Sequence, residues 1–139
     1  MTGLDEIIRK LVRRFKTNDP FVIAKGLNII IQHAEFGPGT RGLYYRRLRR
    51  RFIVIHNGLP EEWQRVVCAH ELGHDRLHSG LSQFWIDEHT FFNTGKFERQ
   101  ANIFAVKLLT QLTEREPGET EETYLLRCGI PKQLHNLEM

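Results

Sequence analysis

The chain reads as an α+β protein, and three observations carry that expectation. Leu4, Ile7, Ile8, Leu11, Val12 and Phe15 near the start fall at the three-to-four-residue spacing of an amphipathic helix, as do Phe97, Ala101, Phe104, Leu108 and Leu112 further on. Between them, residues 27–55 hold isoleucine, valine and aromatic clusters of strand character. The 139 residues, 40% hydrophobic and 27% charged, suit one globular domain spanning 1–139.

Asp19-Pro20 opens a second, short helix that should stop near Gly26. Residues 27–33, 43–47 and 52–55 are expected as a three-stranded, mainly antiparallel sheet, with residues 36–39 as a loop. Pro60, Glu61 and Glu62 mark the start of a third helix, with proline and acids where the helix dipole favours them. Residues 79–95 show no clean period, although they contain Trp85, Asp87, Glu88 and His89. Past the later stripe, Pro117-Gly118 breaks the chain, a short helix around Tyr124 to Leu126 should end near Gly129, and Pro131 begins a last turn.

No apolar run approaches the roughly 18 residues of a membrane span, and an amphipathic helix stands where a signal peptide would be. Cys68 and Cys128 are too few for a disulfide framework, so a cytoplasmic location is expected. The net charge of +3 is mild, but Arg41, Arg46, Arg47, Arg49, Arg50 and Arg51 crowd one short region. Such clusters are commonly solvated or partner-docking faces, which argues against direct nucleic-acid binding as the function.

The chemistry concentrates at His70-Glu71-Leu72-Gly73-His74. On a helix the two histidines lie one turn apart, about 6 Å along the axis, on one face. Both can then reach one zinc ion at about 2.0–2.1 Å. Glu71 is too close in sequence to be a third ligand from the same turn and is placed to accept a proton from water. The pattern arises by chance in about 3% of shuffled chains of this composition. Its context argues against chance: Trp63, Val66, Val67, His70, His74 and Leu77 make one stripe, so the histidines continue the inward apolar face. Two buried histidines without a ligand would be poorly satisfied.

A catalytic zinc usually takes three protein ligands and keeps one open position. His78 lies about 12 Å along the axis from His70 and is out of reach of the same ion. Asp87, Glu88 and His89 remain open as the third ligand, and Glu98 is the stronger candidate because it borders the inward face of the later helix. Asn102, one turn beyond Glu98, could orient a ligand. Tyr44, Tyr45, His56 and His89 are candidate donors to an oxyanion.

The pairing of His70-Glu71-Leu72-Gly73-His74 with Glu98-Arg99-Gln100-Ala101-Asn102-Ile103-Phe104-Ala105 resembles the ImmA/IrrE family of zinc metallopeptidases, in which H-E-x-G-H is followed by a helix bearing E-x-x-A-N-x-F-A. The likeness covers roughly residues 19–111. It departs at Leu108-Leu109-Thr110-Gln111, where a Met-Pro pair would be expected after the leucines. The resemblance implies a small zincin-like domain with N-terminal helices, the sheet, an active-site helix and further C-terminal helices. It implies His70, His74 and Glu98 as zinc ligands and Glu71 as general base. It further implies a zinc endopeptidase whose partner is a protein substrate, a helix-turn-helix repressor cleaved to derepress a phage, mobile-element or stress regulon. The competing expectation is a non-hydrolytic, metal-containing interaction module or toxin–antitoxin component.

Overall fold

The computed structural model describes residues 2–78, 83–87 and 95–136; the side chains of residue 2 and of residues 83–87 lie outside that description. Helices α1 (Thr2–Phe15) and α2 (Pro20–Gly26) precede strands β1 (Ile29–Ala34), β2 (Thr40–Arg47) and β3 (Arg50–His56). Helix α3 (Glu61–Leu77), strand β4 (Gln83–Asp87) and helices α4 (Lys96–Thr110) and α5 (Glu121–Arg127) follow, before a 3-10 turn at Lys132–Leu134. Asp19 caps α2 as expected, its Oδ1 accepting from the Phe21 N–H at 2.9 Å with Pro20 at the first helical position.

The three expected strands form, and a fourth, β4, joins them in the order β1-β3-β2-β4. Both pairings of β2 are antiparallel, while β1 runs parallel to β3. The parallel pair arises because the chain leaves β1, passes over the place beside it, and returns there through the β2–β3 hairpin. β3 thereby gains a neighbour on each side: Ile53 and Ile55 are fully buried and Val54 nearly so. Residues 52–55 are hydrogen-bonded on both sides, and among the described residues β1 and β4 are the edges.

Helix α3 lies between the sheet and α4, and both approaches are close. A Cβ at Gly42 of β2 would meet Val67 Cγ1 at 2.7 Å, and one at Gly73 of α3 would meet the Phe104 side chain at 3.1 Å. Leu4, Ile8, Leu11 and Val12 of α1 join the same apolar cluster as Val66, Val67 and Leu72 of α3 and Phe104 and Leu108 of α4. The later stripe is buried only in its middle: Phe97 and Leu112 at its ends are 44% and 59% exposed. Asp75 of α3 accepts from Tyr44 Oη at 2.6 Å and from Arg51 Nη1 at 3.0 and 2.8 Å, tying the helix to the hairpin. Arg51 also donates to the Leu27 carbonyl. No helix among the described residues is long and apolar enough to cross a membrane.

Candidate metal centre

Every residue of α3 from Val66 to Asp75 is buried, because the sheet covers one side and α4 the other. His70, Glu71 and His74 are fully enclosed, and their donor atoms lie within 4.8 Å of one another. Glu98, in the first turn of α4, points into the same space. Its Oε2 is 2.9 Å from His70 Nε2, its Oε1 is 3.0 Å from His74 Nε2, and the two nitrogens are 3.2 Å apart. Donors held at about 2.0–2.1 Å around a tetrahedral ion stand about 3.3 Å from one another. The three side chains are thus spaced as a metal would space them.

The protons decide between an ion pair and a metal cage. Burial pushes His74 down to about 4, against the opposing pull of Glu98, so its imidazole is neutral at neutral pH. Burial pushes the Glu98 carboxyl up, while hydrogen bonds from His70 and His74, present only where their Nε2 atoms carry protons, pull it down to about 2. Burial thus disfavours a charged His74 paired with Glu98. The outer nitrogens point the same way. His70 Nδ1 lies 2.7 Å from Asn102 Oδ1, an acceptor only, so Nδ1 carries the ring proton and donates it. His74 Nδ1 lies 2.8 Å from His78 Nδ1, whose Nε2 is 2.8 Å from Gln100 Oε1. With the ring proton on Nδ1 of His70 and of His74 and on Nε2 of His78, these outer contacts are satisfied, and Nε2 of both His70 and His74 then presents a lone pair to the Glu98 carboxylate. Such a cluster of acceptors is repulsive unless a cation lies among them. The residues present therefore fit a metal ion.

Glu71 is fully buried, and neither of its carboxylate oxygens has a hydrogen-bond partner among the described residues. Burial first, and the Glu98 charge second, raise its carboxyl well above the ordinary carboxylate range.

The structure brings His70, Glu71, His74, Glu98 and Asn102 together. His78 does not join the three donors, but touches His74 from outside. Its distance from His70 excludes His78 as a ligand, and its i+4 spacing from His74 is the one signal of this contact in the sequence. Gln100, between Glu98 and Asn102, is not singled out by the sequence. Of the candidate oxyanion donors, Tyr44 is fully buried with its hydroxyl committed to Asp75, and Tyr45 stacks on Phe52 with ring centroids 4.6 Å apart. His56 Nδ1 accepts from the Phe36 N–H at 3.3 Å. His89, Glu88 and the Asp87 side chain lie outside the described residues.

Known proteins resemble this chain along most of its length. The immunity region protein 2 of Bacillus phage phi105, itself uncharacterised, is 34% identical over 99% of this chain and 89% of its own length. Metallopeptidase ImmA of Bacillus subtilis (strain 168) is 27% identical over 84% of this chain and 68% of its own. The sequence model of the IrrE N-terminal-like domain matches residues 24–120, which contain both helices of the metal centre. By that match and by the donors buried between α3 and α4, the chain belongs to the ImmA/IrrE family of metallopeptidases.

Proposed function

We propose that the protein is a zinc-dependent endopeptidase that cleaves a helix-turn-helix transcriptional repressor, and so derepresses a phage, mobile-element or stress regulon. The observation that carries the enzymatic part is the convergence of two imidazoles and one carboxylate beside the buried Glu71, whose carboxylate has no partner among the described residues. Support for the substrate comes from the phage relative, named for an immunity region, and from the family resemblance. A repressor substrate puts the action in the cytoplasm.

In this reading His70, His74 and Glu98 hold the zinc, and Asn102 orients His70 through Nδ1. Zinc bound there supplies Lewis acidity, making water a better nucleophile and the scissile carbonyl a better electrophile. Glu71 takes a proton from the attacking water and later returns it to the leaving amine. Its burial suits both roles, since a carboxylate kept from water holds a proton more readily than an exposed one.

The test uses purified protein with the repressor encoded beside its gene, with and without chelator. Cleavage should require the metal, and the protein should hold about one zinc per chain. Glu71→Gln should keep the zinc and lose cleavage, because an amide cannot accept the proton. Cleavage by Glu71→Gln at near wild-type rate would remove the base from the mechanism. Stoichiometric zinc in a His70→Ala/His74→Ala double variant would remove the site.

A further inference from the structure

We infer that His78 and Gln100 form a relay that fixes His74 as a metal ligand, which makes His78 a positioning residue outside the coordination shell. The inference rests on the proposed ligand role of His74. For Nε2 of His74 to offer a lone pair, the ring proton must sit on Nδ1, and a buried N–H needs an acceptor. His78 Nδ1, 2.8 Å away, supplies it. His78 can accept there only if its own proton is on Nε2, and Gln100 Oε1 at 2.8 Å takes that proton. With the Gln100 amide oxygen turned toward it, the proton is held on His78 Nε2.

The geometry of His78 is over-determined in a way a surface residue would not need. It is 6% exposed, its backbone N–H closes the end of α3 on the His74 carbonyl at 2.8 Å, and the Phe97 ring lies 4.4 Å from its own. That last contact explains why Phe97 holds its place although 44% exposed. Glu98, Gln100 and Asn102 all belong to α4, so one helix supplies a ligand and the acceptors that set both histidines. Both acceptors are neutral, whereas a carboxylate in either place would make its histidine more basic and add negative charge beside the metal. Neutral partners orient the rings and leave the metal more of its charge.

The test is a zinc–chelator competition titration on the wild type and on His74→Ala, His78→Phe, His78→Asn and Gln100→Ala, with melting of the metal-free proteins run alongside. His78→Phe fills the space without an acceptor and should weaken zinc binding about 10–100-fold. In His78→Asn the side-chain oxygen falls where Nδ1 was, so it should recover affinity to within a few-fold of wild type. Gln100→Ala, at a partly exposed position, should lose a few-fold because the His78 proton is no longer fixed. Wild-type affinity in His78→Phe, or equal losses in His78→Asn and His78→Phe, would overturn the relay and leave His78 a packing residue. If His78→Phe does not fold, wild-type affinity in Gln100→Ala overturns it instead. Failure of the underlying reading looks different: wild type would take up no zinc, or His74→Ala would bind it as tightly as wild type.

Discussion

Asn102 sits on α4 almost fully buried, with Oδ1 on His70 Nδ1 at 2.7 Å and Nδ2 without a partner among the described residues. Truncating it leaves a buried N–H unsatisfied and frees the His70 ring to turn. Asn102→Ala is therefore expected to cost about 10–100-fold in zinc affinity or cleavage rate. Asn102→Asp, which keeps an acceptor, should retain the metal. Chelator competition checks both, and equal affinities for wild type and Asn102→Ala would strip the residue of this role. Much at this scale was legible in the sequence: one helical turn between His70 and His74, and again between Glu98 and Asn102, places each pair on one face. The pairing of His78 with Gln100 was not legible, because it depends on how far α4 is shifted along α3, and no local spacing encodes that.

Helix α3 crosses α4 at Gly73, where the Phe104 side chain stands 3.1 Å from the position of a Cβ. The glycine of the His-Glu-Leu-Gly-His stretch is thus a spacer that sets how near Glu98 comes to the histidines. Gly73→Ala gains about 1 kcal/mol of helix propensity and meets about 1–3 kcal/mol of overpacking. The balance lies between neutral and about 2 kcal/mol destabilising, so the metal-free protein should still fold, with its melting temperature at most modestly lowered. The site should suffer more, since a misplacement of 1 Å can cost about 10²-fold in rate. A measured loss of at least about tenfold in cleavage, with the metal-free protein still melting cooperatively, is the expected result. Unchanged cleavage would show that α4 can shift without disturbing Glu98. The β2–β3 hairpin shows a different economy. Arg47 faces Arg50 and Arg46 faces Arg51 across the ladder, like charges that destabilise a hairpin. Arg51 is drawn away by Asp75, and the stacked Tyr45 and Phe52 rings hold the strands together below the two-residue turn at Leu48 and Arg49. The arginines were visible in the sequence as a cluster; that one of them is a tie to the metal helix was not.

The candidate metal centre joins two helices that already share the apolar core with α1, α2 and the sheet. The hydrophobic periods announced nearly all of these elements, whereas the position of β3 between β1 and β2, and the strand β4, follow from long-range pairing that alternation does not specify. This layout bears on what the metal does for the molecule. The core cluster of Ile8, Ile23, Ile53, Ile55, Leu72 and Phe104 is closed without any help from His70, His74 or Glu98. The metal-free protein is accordingly expected to fold and to melt cooperatively. Zinc should then add only the linkage term, about 4.1 kcal/mol at a free concentration a thousandfold above the dissociation constant. For a chain of this size that corresponds to a rise of about 10–15 °C in melting temperature. His70→Ala should melt like the chelated wild type and show no such rise. The measurement is thermal unfolding by circular dichroism with chelator and with buffered zinc. If chelation instead abolishes the helical signal at 25 °C, the ion is holding the fold together as a structural metal does, and the catalytic reading loses its footing. Retention of the fold with loss of cleavage is the outcome that a working peptidase site requires.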